Sequence, residues 1–304
     1  MVAQRRELPG WIRAPLPSRE YSDLRELIRS SGLATVCREA HCPNLTECWS
    51  RGTATIMLLG ETCTRRCAFC AVQTEDRHGI IDASEPLRVA TAVRNSGLQY
   101  VVLTMVARDD LPDQGATPLC DTLERIREIA PDVGIELLTS DLGGSLSSVD
   151  RVIRCRPEVF AHNLETVHRL TPEVRDSRAS YERSLRVLEH AKAAGPEGLV
   201  TKSSLMLGLG ETREELRGAM QDLRGVGVDI LTLGQYLRPG GEGFYDVSRY
   251  VPPSEFAELA IEARSLGFLG VASGPLVRSS YMARELYWKA RHRGGRGPAG
   301  AEAI

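Results

Sequence analysis

The stretch from Thr53 to Cys70 decides the fold, and it reads TATIMLL followed by GETCTRRCAFC. Its first seven residues form a short, mostly apolar run of strand length, which predicts a buried β-strand. Its second part places Cys63, Cys67 and Cys70 at CxxxCxxC spacing directly after that run. The stretch therefore predicts a strand that ends in a cysteine-bearing loop.

Further apolar runs of strand length follow along the chain, separated by segments with helical periodicity. The runs occupy residues 100–104, 135–138, 158–161, 199–207, 229–233 and 268–272. Two helical segments carry apolar residues at i, i+3, i+4 and i+7, namely Leu216, Ala219, Met220 and Leu223, then Phe256, Leu259, Ala260 and Ala263. Thr212 followed by Glu215 predicts a capping box at the start of the first of these helices.

This alternation predicts about six βα units and a parallel sheet with right-handed crossovers, either closed as a barrel or left open. Six units are fewer than the eight of a full barrel. In such folds the chemistry lies at the carboxyl ends of the strands, so the residues that follow each apolar run are the candidates for a site.

The composition of the 304 residues is that of a globular protein, with 42% hydrophobic and 26% charged residues. A balance of 38 basic and 40 acidic residues leaves a net charge of −2, which predicts no nucleic-acid or anionic-membrane partner. Residues 1–16 lack the apolar core of a signal peptide, and no stretch reaches the roughly 18 apolar residues of a membrane span. We therefore predict a cytoplasmic protein in which clustered cysteines bind metal rather than form disulfides.

The CxxxCxxC loop suits a cubic four-iron cluster, because three thiolates from one tight loop can occupy three of its four corners. One iron is then left open. The amino and carboxylate groups of S-adenosylmethionine can chelate such an open iron. The alternative is a structural zinc site that His78 would complete as the fourth ligand.

A second cysteine triplet, Cys37, Cys42 and Cys48, lies upstream of the first strand at CxxxxCxxxxxC spacing. Two zinc sites or a redox disulfide system could also use six cysteines, but neither explains why both sets stop at three. Three cysteines in each triplet suggest two cubic four-iron clusters, each with a fourth ligand that is not cysteine. His41 is either a ligand, a residue on a helix surface or a neighbour that supports the ligands.

The two remaining cysteines, Cys120 and Cys155, fall within helical patterns away from both triplets. Buried, chemically inert cysteine is the commoner role in such positions. We therefore leave both out of the predicted site.

These motifs resemble the lipoyl synthase family of radical S-adenosylmethionine enzymes, from Trp11 to about Tyr287. The family's auxiliary-cluster signature is matched by residues 35–48 and its radical-cluster loop by residues 63–70. Further matching blocks lie at 108–113, 162–167, 202–212, 234–237 and 278–281. The resemblance implies a partial (β/α)6 TIM-type barrel over residues 53–275, with an N-terminal extension, 1–52, and a C-terminal segment, 276–304.

The resemblance also implies two [4Fe-4S] clusters. Cys63, Cys67 and Cys70 would hold the cluster that binds S-adenosylmethionine. Cys37, Cys42 and Cys48 would hold the auxiliary cluster, with Ser280 of the Arg-Ser-Ser-Tyr block as its fourth ligand and Ser279 as the alternative. Without the triplets, these two serines would be interpreted as caps of a helix that begins near Tyr281.

The activity that the resemblance implies is the insertion of two sulfur atoms, at C6 and C8 of a protein-bound octanoyl-lysine. A 5′-deoxyadenosyl radical would abstract hydrogen, and the auxiliary cluster would donate the sulfur. The implied substrates are octanoylated lipoyl domains of 2-oxoacid dehydrogenase complexes or the H protein of glycine cleavage. A ferredoxin or flavodoxin would supply electrons, and an iron–sulfur carrier would rebuild the cluster.

Four polar residues beyond the predicted strands are candidate contacts to S-adenosylmethionine: Asn163, Glu165, Lys202 and Glu211. Asn163 and Glu165 could equally be hydrogen-bonding partners in the barrel mouth. Lys202 and Glu211 could form a structural ion pair. Gly208 and Gly210 permit a close backbone approach to a ligand or simply form a turn.

The chain departs from the family pattern at Met105, at Ala107, around residues 140–142 and at 238–244. These positions are predicted to lie on loops after strands, so the departures concern substrate or nucleoside contacts rather than cluster assembly. A different radical sulfur-inserting enzyme, similar to biotin synthase or a methylthiotransferase, would share only the CxxxCxxC loop. A cluster carrier without catalysis would need only the cysteines, and six βα units exceed that need.

Overall fold

The structure is a computed structural model that describes residues 9–12, 19–39, 42, 44–50 and 55–293. Its strands are β1 (Ala34–Thr35), β2 (Thr55–Leu58), β3 (Thr62–Cys63), β4 (Gln73–Thr74), β5 (Tyr100–Met105), β6 (Gly134–Leu138), β7 (Val159–Ala161), β8 (Val200–Leu207), β9 (Ile230–Gln235) and β10 (Gly270–Gly274). Its α-helices are α1 (Arg19–Ser30), α2 (Val36–Glu39), α3 (Leu45–Ser50), α4 (Glu85–Ser96), α5 (Ala116–Ile129), α6 (Leu146–Arg154), α7 (Thr171–Val174), α8 (Tyr181–Ala194), α9 (Arg213–Gly225), α10 (Pro253–Ser265) and α11 (Ala283–Arg293).

The main sheet has the strand order β1-β2-β5-β6-β7-β8-β9-β10. All neighbours from β2 to β10 are parallel, whereas β1 pairs antiparallel with β2. Within the described residues β10 does not pair back to the first strands, so the barrel is open. The predicted α/β fold with a partial TIM-type barrel is confirmed: six βα units precede β10, and β1 is an edge strand that the sequence analysis did not predict.

Alternation along the strands separates two faces of the sheet. Val101 and Leu103 of β5 pack in one cluster with the crossover helices, which coat the outside. Tyr100 and Val102 of the same strand pack instead with α11. The C-terminal helix therefore lies on the inner face of the open barrel.

Helix α11 occupies the amino-terminal end of the barrel interior. Its buried residue Leu286 packs in one cluster with the residues that open two strands, Tyr100 of β5 and Ile230 of β9. A Cβ built on Gly270 would lie 3.2 Å from the Leu286 carbonyl oxygen, so the helix backbone comes close to β10. Because α11 fills this end, the opposite end, at the carboxyl termini of the strands, remains for chemistry.

The predicted capping box at the start of α9 is confirmed. Thr212 Oγ1 accepts a hydrogen bond from the Glu215 N–H at 3.2 Å, and Glu215 Oε2 accepts one from the Thr212 N–H at 2.9 Å. The apolar stripes predicted for this helix and for α10 are both buried. Short-range periodicity thus located these two helices correctly.

Cys120 and Cys155 form a disulfide that links α5 to the C-terminal end of α6, with a Cα–Cα distance of 5.8 Å. The expectation of two separate, inert thiols is therefore wrong. The two residues are 35 positions apart, and only the packing of α5 against α6 brings them together.

Among the described residues, no helix is both long and apolar enough to cross a membrane. The cytoplasmic location stays a prediction, as do the three domain boundaries. The described parts of the two predicted flanking segments nonetheless contribute to the barrel, because β1 extends the sheet and α11 packs inside it.

Candidate active site

The CxxxCxxC loop lies at the carboxyl end of β2 and is closed by a two-stranded sheet of its own. Strands β3 and β4 pair in parallel, which matches Cys63 with Thr74. The Thr64 N–H donates to the Ala107 carbonyl oxygen beyond β5 at 3.0 Å, and the Cys70 N–H donates to the Cys67 carbonyl oxygen at 3.1 Å. These bonds place all three predicted cysteines in one tight loop.

The segment after β7 holds this loop from one side. The Ala68 N–H donates to the Val174 carbonyl oxygen at 2.9 Å, and the Asp176 N–H lies 3.4 Å from Cys67 Sγ. The Asp176 carboxylate in turn accepts from the Arg66 N–H at 2.8 Å. This clamp joins residues about 110 positions apart, and no motif in the sequence predicts it.

Arg178 completes the clamp. Its Nε donates to Asp176 Oδ1 at 2.8 Å, and its Nη2 donates to the Thr64 carbonyl oxygen at 2.5 Å. The Arg178 guanidinium holds the pKa of the Asp176 carboxyl well below its usual range. The carboxylate is therefore charged over the whole physiological pH range.

A buried arginine inside the loop, Arg65, ties it to two further strand ends. Its Nη2 contacts Asp109 Oδ1 at 2.6 Å, and its Nη1 contacts Asp141 Oδ1 at 2.7 Å. Burial alone would raise the pKa of Asp109, but hydrogen bonds from Arg65 and Thr64 outweigh burial and lower it. Asp141 belongs to one of the segments that depart from the family pattern, and it supports the loop.

The loop that follows β9 holds the cysteine loop from the other side. The Tyr245 N–H donates to the Ala68 carbonyl oxygen at 2.8 Å, and the Tyr236 hydroxyl donates to the Tyr245 carbonyl oxygen at 2.7 Å. The segment 238–244, which departs from the family pattern, is therefore followed directly by Tyr245, and Tyr245 fixes the backbone between Cys67 and Cys70.

The chemistry of the three thiols fits an iron–sulfur cluster. Burial raises the pKa of the Cys67 thiol to about 11 and that of Cys70 to about 12, and it also raises the pKa of Cys63. The described residues hold no group of three His, Cys, Asp or Glu side chains already drawn together as around a metal ion. Thiolate is nevertheless the ligand that iron–sulfur clusters require, and all three sulfurs come from this one loop. His78 lies on an exposed turn, with its Nδ1 3.6 Å from Asp76.

The second triplet lines a small cavity together with a residue from the far end of the chain. Cys37, Cys42, Cys48 and Ser280 all line it. Ser279 is not among the lining residues, so the structure favours Ser280 of the two predicted serines. Helix α11 begins only at Ala283, which leaves neither serine directly before it. His41 lies outside the described residues.

The open barrel explains how this cavity forms. The cysteines follow β1 and Ser280 follows β10, and these strands are the two edges of the sheet. Asn44, which is 1% exposed, donates through Nδ2 to the Leu276 carbonyl oxygen and so joins the two segments. The cavity thus lies in the seam between the sheet edges.

A glycine on β9 lets the C-terminal segment enter this seam. A Cβ built on Gly234 would lie 2.0 Å from the Val277 carbonyl oxygen, which is too close for any other residue type. Close backbone approach is a characteristic role of glycine in strands. The structure gives this role to the glycine of the block at 234–237.

Two predicted contacts to S-adenosylmethionine, Asn163 and Glu165, lie together after β7. Asn163 Nδ2 donates to Glu165 Oε1 at 3.1 Å. Glu165 has φ 71°, an uncommon conformation for a residue other than glycine that is often found at functional sites. Burial raises the pKa of its carboxyl, and its charge acts on Cys67 and Cys70. Both residues are half-buried beside the cysteine loop.

The other two predicted contacts have protein partners. Lys202 is 0% exposed and pairs through Nζ with Glu136 Oε1 at 2.7 Å. The ion pair suggested for Lys202 with Glu211 is therefore wrong, because Glu136 on β6 is the partner. Lys202 lies inside the barrel near Tyr100, whose hydroxyl is 3.4 Å from Glu136 Oε2.

Glu211 folds back onto the turn after β8. Its Oε1 accepts from the Gly208 N–H at 2.7 Å, and its Oε2 accepts from the Leu209 N–H at 2.9 Å. A Cβ on Gly208 would lie 2.4 Å from the Arg249 carbonyl oxygen. The close approach at Gly208 is therefore to the loop after β9, and Glu211 stabilises the turn that permits it.

Comparison with known proteins assigns this arrangement to a class. The model of the Radical SAM superfamily matches residues 57–223. Among solved structures, the FeFe-hydrogenase maturase HydG from Carboxydothermus hydrogenoformans aligns with a TM-score of 0.58 at 18% identity, over 78% of this chain and 56% of that chain. Methylornithine synthase (PylB) aligns with a TM-score of 0.53 at 15% identity, over 81% of this chain and 70% of that chain. The fold and the cysteine loop are those of a Radical SAM protein.

Curated relatives narrow the class. The chain is 54% identical to the lipoyl synthase of Thermus thermophilus over 95% of this chain and 89% of that protein. It is 52% identical to the lipoyl synthase of Pyrobaculum calidifontis over 92% of this chain and 96% of that protein. The chain belongs to the lipoyl synthase family. Membership in the superfamily implies a [4Fe-4S] cluster and S-adenosylmethionine as cofactors.

Proposed function

We propose that the chain inserts sulfur at C6 and C8 of a protein-bound octanoyl-lysine, with a second [4Fe-4S] cluster as the sulfur donor. The observation that carries this proposal is the presence of two separate three-cysteine sites on one barrel. The first lies at a strand end, and the second lies in the seam of the barrel with Ser280 beside it. A single-cluster enzyme needs only the first.

In this proposal Cys63, Cys67 and Cys70 bind the cluster that works with S-adenosylmethionine. When bound, these cofactors supply a radical able to attack a C–H bond that has no acidic proton. Asn163 and Glu165 bind and orient S-adenosylmethionine, because their polar groups lie beside the cysteine loop at a strand end. Glu211 and Lys202 support the same site indirectly, through the turn after β8 and the ion pair with Glu136.

The chain's own residues also shield the site. Helix α11 fills the amino-terminal end of the barrel, so the described residues leave the carboxyl end as the entrance. The loops after β7 and β9 cover the cysteine loop from both sides. Exclusion of water protects a reactive intermediate from side reactions.

At the auxiliary site, Cys37, Cys42 and Cys48 supply three thiolates and Ser280 supplies an oxygen ligand. A serine oxygen is a hard ligand that matches iron less well than thiolate does. It is therefore the ligand most readily displaced. A weak fourth ligand suits a cluster that gives up sulfur during the reaction.

Lipoyl synthases act on a protein that carries an octanoyl group. We propose lipoyl domains of 2-oxoacid dehydrogenase complexes or the glycine cleavage H protein as that substrate. A ferredoxin or flavodoxin would supply electrons, and an iron–sulfur carrier would rebuild the auxiliary cluster. The net charge of −2 agrees with a protein rather than a nucleic-acid partner.

The test is an anaerobic reaction of the reconstituted chain with S-adenosylmethionine, a strong reductant and an octanoyl-lysine lipoyl-domain peptide. We expect the peptide mass to rise by two sulfurs less two hydrogens. Cys37→Ala should still release 5′-deoxyadenosine but leave the peptide without sulfur, whereas Cys63→Ala should abolish both products. Cys120→Ala, outside both triplets, is the matched control and should keep both. Release of 5′-deoxyadenosine by the unaltered chain without any sulfur insertion would overturn the proposal.

A further inference from the structure

The side chain of Arg278 lines the auxiliary cavity beside Cys42. Its Nη1 donates to the Val277 carbonyl oxygen at 2.8 Å. In the part of the chain that the structure describes, no carboxylate oxygen lies within 4.0 Å of its guanidinium. The buried arginines Arg65 and Arg108, by contrast, each pair with an aspartate.

Arg278 is half-buried, and a half-buried cation without an anionic partner is costly, because burial removes part of its hydration. Burial lowers the pKa of Arg278, and the Cys42 thiol acts in the opposite direction. Glu47, the acidic residue of the neighbouring α3, instead accepts a hydrogen bond from the Tyr281 hydroxyl at 3.2 Å. Among the described residues, the Arg278 guanidinium therefore shares the cavity with the cysteine side chains of the second triplet and not with a carboxylate partner.

The position of the guanidinium is set by β9. A Cβ built on Gly234 would lie 3.3 Å from Arg278 Nη1, so the side chain lies against the inner face of the sheet. It thus occupies the boundary between the auxiliary cavity and the barrel interior. At this position a positive charge acts on a bound cluster through little intervening water, where charge interactions are strong.

We propose that Arg278 supplies a positive charge beside the auxiliary cluster and thereby raises the reduction potential of that cluster. This inference rests on the proposed second cluster. A cluster with three thiolate ligands is anionic, and the added electron of reduction makes it more so. A nearby cation therefore stabilises the reduced form more than the oxidised form.

The test isolates the auxiliary cluster in the full chain by replacing Cys63, Cys67 and Cys70 with alanine. A redox titration followed by electron paramagnetic resonance then gives its potential. Arg278→Met should lower the ratio of reduced to oxidised cluster at a fixed potential by about tenfold, which corresponds to about 59 mV for one electron. Arg278→Lys keeps the charge and should restore most of the ratio. Arg125→Met removes the same charge from an exposed side chain of α5 and should change nothing.

The iron content of each variant distinguishes failure of the proposed second cluster from failure of the role proposed for Arg278. If the triple-alanine parent binds no cluster, the proposed second cluster fails. If the parent binds a cluster and Arg278→Met binds it with an unchanged potential, only the role of Arg278 is overturned. If Arg278→Met binds no iron while Arg278→Lys does, the need for the charge is supported. Equal loss of iron in Arg278→Met and Arg278→Lys would overturn the role proposed for the charge.

Discussion

Asp176 shows how much of the site depends on single polar contacts. Its carboxylate receives the Arg66 N–H and the Arg178 side chain, and its own N–H lies against Cys67 Sγ. Hydrogen bonds to charged groups contribute about 1.5–3 kcal/mol each. The conformation of the cysteine loop therefore depends on residues far from it in sequence.

We expect Asp176→Ala to loosen this loop. Even if only one of these charged hydrogen bonds counts in full, its loss of about 1.5 kcal/mol corresponds to at least a roughly tenfold faster removal of iron by a chelator. The measurement is the rate of iron release in a chain whose auxiliary cysteines are replaced by alanine. Glu182→Ala, which removes an exposed carboxylate paired with His168, is the control. Equal release rates in both variants would contradict the clamp.

His162 predicts a pH dependence of stability. It is buried, with Nδ1 3.0 Å from the Thr139 carbonyl oxygen and Nε2 2.9 Å from Ser184 Oγ. Burial lowers its pKa from 6.5 to about 4. Between these pH values the unfolded chain binds a proton that the folded chain does not, so stability decreases as the pH falls from 6.5 to 4.

The loss attributable to His162 is about 3 kcal/mol over that range, since each pKa unit corresponds to about 1.4 kcal/mol. Denaturant unfolding at a series of pH values measures it. In His162→Gln the slope between pH 6.5 and 4 should become shallower. Parallel profiles for the two proteins would show that another group causes the acid sensitivity.

Among the elements, α5 and α6 are joined covalently through Cys120 and Cys155. A disulfide that closes a loop of this size restricts the unfolded chain and stabilises by about 3–4 kcal/mol. We expect Cys120→Ser to lower the free energy of unfolding by an amount of that order under non-reducing conditions. Under reducing conditions the difference should largely disappear, and an undiminished difference would indicate lost packing instead.

Counting free thiols checks the same pairing independently. Alkylation of the denatured, unreduced apoprotein should leave Cys120 and Cys155 unmodified while it labels the six cysteines of the triplets. Labelling of all eight would show that the disulfide does not form. The linkage is separate from both cysteine triplets, so the iron content after reconstitution should not change with it.

At the scale of the whole molecule, the proposed auxiliary site depends on the two edges of the open sheet lying near each other, so that the segments beyond β1 and β10 line one cavity. Gly234 makes this possible, since its missing side chain leaves room for the Val277 carbonyl oxygen. We expect Gly234→Ala to displace the segment that carries Arg278 and Ser280. Iron at the auxiliary site should fall strongly while the radical site keeps its cluster.

Gly218→Ala on α9 is the matched control, because a Cβ there meets no atom within 4 Å. Alanine in a helix interior is favoured over glycine by about 1 kcal/mol, so this variant should retain all its iron. The measurement is iron and sulfide per chain after reconstitution. Full auxiliary iron in Gly234→Ala would show that the seam tolerates a displaced C-terminal segment.

Local sequence pattern was enough to predict the alternation of the main parallel strands with helices, the capping box at Thr212 and Glu215, and the two cysteine triplets. These features depend on residues close together in sequence, where periodicity and spacing report directly on the backbone. The choice of Ser280 required a resemblance to a known family. Its place at the cavity agrees with that choice.

Other features arose only in the folded chain: the pairing of Cys120 with Cys155, the partner of Lys202, the Asp176 clamp and the placement of α11 inside the barrel. Each of these features joins residues that are distant in sequence. The sequence around a charged residue or a cysteine does not show which distant residue it will contact in the folded chain. Sequence alone therefore determined which groups could carry the chemistry. The tertiary structure decided which of them are held together, because the curvature of the open sheet around α11 brings distant strand ends side by side.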